Sequence, residues 1–200
     1  MTSIKLKLPD LDGKPTSVEG KTSVVLIGAN GSGKTRMSIW IEGDNQSYNF
    51  HRISAQKSLN MPDTIRPSDL KNSQANFLYG NIVFDGFSGK NRFRWNLAPA
   101  THLLNDFSQL MVVLVTEHYE KTIEYRNEHM SGNTSFTNTT YLDKIKNIWE
   151  DVITNKTWKI KAGKIEVSNR KSINETFNRA EMSDGEREVF YFIGEVLCIR

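Results

Sequence analysis

Two hundred residues are enough for one domain with a real core and leave little room for a second. An apolar share of 38%, a charged share of 24% and a formal charge of +3 describe an ordinary solvated surface. There is no dense Lys/Arg cluster to argue for nucleic acid, and no apolar run near the roughly 18 residues of a membrane span. With Cys198 as the single cysteine, an intrachain disulfide is excluded, and a small buried side chain is its expected role. The N-terminus lacks the apolar centre of a signal peptide, so the chain reads as cytoplasmic and the sequon at Asn138 as incidental.

In chain order, Ile4, Leu6 and Leu8 alternate with lysines as in a half-buried strand, and Asp12-Gly13 suits a hairpin turn. Residues 23–27 form a short β-branched run of the kind found in a doubly covered strand. Residues 34–42 follow as a helix with Met37, Trp40 and Ile41 on one face. Residues 50–55 read as a strand, and 56–76 as irregular because Pro62 and Pro67 exclude a long helix there. A short strand is expected at 81–87. A long helix at about 100–125 follows from the three-to-four spacing of Leu103, Leu104, Phe107, Leu110, Met111 and Leu114. Residues 127–140 are polar, as in an exposed loop. Leu142, Ile145, Ile148, Trp149 and Val152 mark a second amphipathic helix, and Ala162-Gly163 the turn of a hairpin. From Ser183 onward an apolar helix runs to the last residue.

Gly28-Ala29-Asn30-Gly31-Ser32-Gly33-Lys34-Thr35 meets the G-x-x-x-x-G-K-[ST] pattern at every fixed position. A phosphate chain must be wrapped closely, and glycines let backbone N–H groups turn inward with no Cβ in the way. Lys34 places a point charge on the β- and γ-phosphates, and the Thr35 hydroxyl is a Mg²⁺ ligand. The helix that opens through Arg36 adds the positive end of its dipole. ATP with Mg²⁺ is the expected ligand.

Glu181-Met182-Ser183-Asp184-Gly185-Glu186-Arg187 is a second informative stretch. Ser183 can cap a helix, and Glu186 three residues on completes a capping box. This stretch resembles the signature motif of ABC-type ATPases, in the Ser-x-Gly-Glu form of the SMC, RecF and OLD branch. The resemblance implies an α/β P-loop NTPase head with an antiparallel N-terminal β element and an inserted helical lobe. It divides the chain into a P-loop core (1–56), a lobe (about 100–155) and a hairpin with signature helix (156–200). It implies two heads that sandwich ATP, with Ser183, Asp184, Gly185 and Glu186 of one copy offered to ATP on the loop of the other. Asp184 stands where the commonest signature has Gly. Gln56, in Arg52-Ile53-Ser54-Ala55-Gln56, is implied as the loop glutamine near Mg²⁺ and the attacking water, ahead of Gln109.

Heads of this branch control an effector, so a homo-oligomer and a Toprim-type nuclease partner are what the resemblance implies; the mildly basic charge permits DNA without arguing for it. A strand closing on Asp-Glu and a switch His are expected after the signature helix and do not occur by Arg200, so the chain reads as the front part of a head with weak hydrolysis of its own. A non-hydrolysing ATP-dependent scaffold is the alternative. No Arg-rich lid of a small-molecule kinase and no guanine-reading Asn-Lys-x-Asp is present. His51, His102, His118 and His129 lack metal-ligand spacing and read as surface or helix-side residues, and the aromatic runs 77–79 and 84–95 as core.

Overall fold

A computed structural model describes residues 4–9, 16–20, 23–48, 50–161, 163–170, 172–178 (backbone alone) and 182–199. Among these the chain is mixed α/β, with two small antiparallel sheets. β1 (Ile4–Leu8) pairs with β2 (Thr16–Gly20), Leu6 opposite Val18, as the alternation requires. The Asp12-Gly13 turn lies outside the described residues. Asn45 extends this sheet with a side chain: its Oδ1 accepts from Lys7 N (2.7 Å) and its Nδ2 donates to Lys7 O (3.2 Å).

Among the described residues three expected strands are absent, at 23–27, 50–55 and 81–87. Residues 23–27 belong to no ladder, and Val25 and Ile27 are 77% and 93% exposed. An apolar β-branched run prefers extended backbone, but a strand needs a neighbour to take its N–H and C=O groups, and no described segment lies alongside. Residues 50–55 likewise belong to no strand, and Lys57 makes an isolated parallel bridge to Leu104.

α1 (Lys34–Asp44) matches expectation at its start. α2 (Leu70–Tyr79) occupies part of the stretch expected to be irregular. Pro67 bars a helix before it, but Asp69 accepts from Asn72 N (2.8 Å) and starts one directly after, and Gly80 ends it. At 81–87 no strand forms. The Asn81 side chain accepts from Val83 N and Phe84 N and donates to Phe84 O, which closes a turn. α3 (Gly86–Gly89) then runs into a π-helical turn (Lys90–Arg94), followed by Asn96 and Leu97 in the left-handed region.

Turns run on through residue 101, and Leu104 then bonds backbone to backbone with Gln56 and Ser58, so the long helix α4 (Phe107–Met130) starts later than its apolar spacing suggests. It also takes the first residues of the expected loop. α5 (Tyr141–Val152) opens on a full Thr140–Asp143 capping box. β3 (Lys156–Lys161) and β4 (Lys164–Asn169) form the expected hairpin, and β5 (Ser172–Asn178) adds a third strand that the sequence reading lacked. A Cβ on Gly163, at positive φ in that hairpin turn, would meet the Ile65 carbonyl, so the position requires glycine. α6 (Asp184–Cys198) closes the chain and buries Cys198, as expected.

The main core is built from α4, α5, the second sheet and α6. Phe107, Leu110 and Met111 of α4 meet Trp149 of α5, Trp158 of β3, and Phe190 and Tyr191 of α6. Phe190 has its ring centroid 6.2 Å from Phe107 and 5.4 Å from Trp158. Of the aromatic runs, Phe77 and Trp95 are core, whereas Phe84 and Phe93 stack on each other at the surface. Replacing Phe190 by Ala opens a cavity at this junction. It is expected to lower unfolding free energy by about 3–5 kcal/mol, measured by urea denaturation.

Candidate functional site

The loop at residues 28–35 is built from its glycines upward. Gly31 and Gly33 sit at φ +81° and +89°, which side chains rarely adopt. Ser32 N donates back to Ala29 O (3.1 Å), closing the turn that leads into α1. Gly33 is the N-cap residue, so no side chain caps the helix, and no acidic residue stands in its first turn. The amides at this end therefore keep their donor capacity and the helix keeps its positive end. Lys34 Nζ donates to Gly28 O (2.7 Å) and Ala29 O (2.8 Å), and its third N–H has no partner among the described residues. Asn30 and Thr35 are exposed beside it. Glycine backbone, open amides, an anchored ammonium and a free hydroxyl fit a polyphosphate with its Mg²⁺.

Ser183 forms the anticipated cap. Its Oγ accepts from Glu186 N (3.3 Å), and Glu186 Oε2 accepts from Ser183 N (3.0 Å). Ser183 is exposed, its own hydroxyl proton stays available, and a Cβ on Gly185 would meet nothing within 4 Å. Asp184 is 86% exposed in side chain and 3.4 Å from Arg187. Glu186 is anchored by Lys156 (2.9 Å), while its carbonyl takes Trp149 Nε1 (3.2 Å). Two carboxylates thus already occupy the positive end of α6. An incoming anion would be met by the Ser183 hydroxyl and the open backbone at Gly185 rather than by the helix field. Glu181 lies outside the described residues.

Gln56 is exposed, and its carbonyl accepts from Leu104 N (3.2 Å). Next to it, Lys57 Nζ reaches Glu188 of α6 (2.6 Å) and lies over Phe192 (4.8 Å). The Gln56 segment is therefore tied to the Ser183 helix. Among the described residues no hydrogen bond or ion pair joins residues 28–35 to Gln56 or to 183–186. Gln109 lies within α4, and no group of three metal-ligating side chains gathers among the described residues.

A buried charge network is what sequence reasoning missed. Arg94 Nη2 donates to Asp106 Oδ2 (2.6 Å) and Glu195 Oε1 (3.4 Å), and Nη1 to the Arg52 carbonyl (3.1 Å). His51 Nε2 bonds to Glu195, which corrects its reading as a surface or helix-side residue. Tyr191 donates to Asp106 Oδ1 (2.7 Å). Arg52 bonds Glu42 of α1 (3.3 Å) and lies 3.8 Å over Trp95. Lys90 stands 3.7 Å from Glu42 and donates to Phe50 O. The π turn puts Lys90 and Arg94 four residues apart on one inward face. The visible signal was Glu195, a charge inside an apolar helical run, together with Glu42 directly after Ile41.

Three cations (Arg52, Lys90, Arg94) face three carboxylates (Glu42, Asp106, Glu195). With His51 neutral, the cluster balances. Burial is the leading cause that lowers His51, Arg52 and Lys90. Burial pushes Asp106 up against the pull of Arg94. It also pushes Glu195 up, but the His51 hydrogen bond and the Arg94 charge outweigh it and hold the carboxyl below its usual range. Leaving one such charge unpaired typically costs about 3–5 kcal/mol.

Comparison with protein-family models, with curated proteins and with solved structures finds no match. Among the described residues, no helix is long and apolar enough to cross a membrane.

Because His51 lies below its ordinary 6.5 when folded, the unfolded chain takes the proton first. The stability this contributes is complete above that value and is lost as pH falls through the lower folded value. Unfolding free energy measured from about pH 7.5 to about pH 5 should therefore decline. The decline should be shallower in His51→Gln, which retains an N–H for Glu195; equal slopes would remove this role.

Proposed function

We propose that the chain is a nucleotide-binding head of the ABC type, which holds Mg-ATP on one copy and offers Ser183 to the nucleotide of another. The observation that carries this reading is the anchored Lys34 ammonium at the mouth of an uncapped helix, behind glycines at positive φ. In this reading the amides of Gly28, Ala29, Asn30, Gly31, Ser32 and Gly33 wrap the phosphates. Lys34 neutralises the β- and γ-oxygens, Thr35 takes the Mg²⁺, and Arg36 continues the helix. A Mg²⁺ held at Thr35 would supply positive charge that stabilises the phosphate oxygens.

The trans contact rests on the capped but exposed Ser183 and the open space at Gly185. Gln56 is proposed near the Mg²⁺ and attacking water, in support of which its segment is tied to α6 by Lys57–Glu188. The whole assembly would hydrolyse ATP and control an effector such as a Toprim-type nuclease, with DNA as a further partner, in the cytoplasm. A second reading, an ATP-dependent scaffold without turnover, is favoured by one fact. Among the described residues no carboxylate is bonded to residues 28–35.

Calorimetry should show Mg-ATP uptake by the chain and its loss in Lys34→Ala, with an affinity drop of about a hundredfold, the scale of losing charge-assisted hydrogen bonds. Ser183→Arg should bind nucleotide as before and lose ATP-dependent association in sedimentation. Steady-state hydrolysis by the 200-residue chain should be weak. Robust turnover abolished by Lys34→Ala would favour the complete enzyme, and assembly without turnover would favour the scaffold.

A further inference from the structure

We propose that Arg94 and Glu195 are positioning residues which, through Arg52, clamp the helix following Lys34 to the helix following Ser183. A phosphate chain held at the loop is thereby felt along α6 of the same copy. The inference rests on the nucleotide-binding reading above and adds an intrachain link to it.

α1 packs mainly on β1, and α6 packs on α4 and α5. A chain of charged groups links the two helices. Glu42 lies eight residues along α1 from Lys34, about 12 Å at the rise of a helix. It is held by Arg52 Nε and by Lys90. The Arg52 carbonyl is in turn held by Arg94 Nη1, and Arg94 Nη2 holds Glu195 of α6. His51, next to Arg52, closes the same circuit on the other oxygen of Glu195. Every member side chain from Glu42 to Glu195 is buried or nearly so.

Such a chain has little slack. Buried ions are tolerated only while each keeps its partner, so a displacement of α1 that separated Glu42 from Arg52 would have to be followed by Arg52 or reversed. Arg52 is restrained further, stacked on Trp95 and donating Nη1 to Pro99 O (3.0 Å). Apolar packing alone would stabilise these helices without linking their positions so narrowly. Removing the charge of Glu195 while keeping its shape should therefore uncouple α6 from α1 and leave the loop intact. By reciprocity the same link lets events at Ser183 alter affinity at Lys34.

Hydrogen exchange read by mass spectrometry on the full chain tests this. It would be run with and without magnesium and a slowly hydrolysed ATP analogue, at a concentration where sedimentation shows a monomer, so that trans contacts are absent. In the wild-type chain nucleotide should slow exchange at residues 33–44 and also at 190–197. In Glu195→Gln and in Arg52→Lys the first response should persist. The second should shrink by about fivefold or more, the lower end of ordinary coupling. Thermal unfolding of each variant separates lost stability from lost coupling. A response at 190–197 of equal size in the variants overturns the proposal. So does a wild-type chain that responds at 33–44 alone, a result that does not depend on any variant folding. A chain with no response at 33–44 overturns the nucleotide-binding reading, and the clamp with it.

Discussion

The structure depends on where Arg94 puts its charge. A guanidinium buried in this way is tolerable only with acceptors on both sides, and Asp106, Glu195 and the Arg52 carbonyl supply them. Each acceptor belongs to a different part of the chain: the approach to α4, the interior of α6, and the unpaired segment after α1. Residues 50–54 have no strand partner, and it is these side-chain bonds that fix them. Tyr191 then ties Asp106 to the aromatic core, so charge network and apolar core share one wall.

The legible parts of the sequence were those governed by local rules. Ser183-x-x-Glu186 names its own helix start, Gly163 the turn of its hairpin, and the spacing of Leu142, Ile145 and Trp149 its buried face. What was misread needed partners far along the chain. Residues 23–27 and 50–55 have strand-like composition, but a strand is a statement about a neighbour, and composition cannot supply one. Leu103 and Leu104 keep the helical spacing, but Leu104 is drawn into a backbone bridge with the distant segment at Gln56–Ser58, and α4 begins only after it. In the site, the residues of the loop and the cap could be read from spacing. His51 and Arg94 could not, and Glu195 stands out only as a charge in an apolar run, since a partner 101 or 144 residues away leaves no local signature.

The two helix starts are chemically opposite. α1 begins on glycine with bare amides and no acid, and so presents a positive end suited to anions. α6 begins on a satisfied cap with Asp184 and Glu186 in its first turn. The first is suited to holding phosphate, and the second to touching it lightly through one hydroxyl. That division fits the contact between copies proposed above, because a second strong anion site would hold such an assembly shut.

The unladdered run at Val25, Leu26 and Ile27 has a practical consequence for handling the molecule. Backbone donors and acceptors beside three bare aliphatic side chains, with no proline or charge among them, make a template for non-native strand addition. Purified material should therefore tend to clump with rising concentration whether or not nucleotide is added. A lysine introduced at position 25 or 27 would act as a gatekeeper against that stickiness.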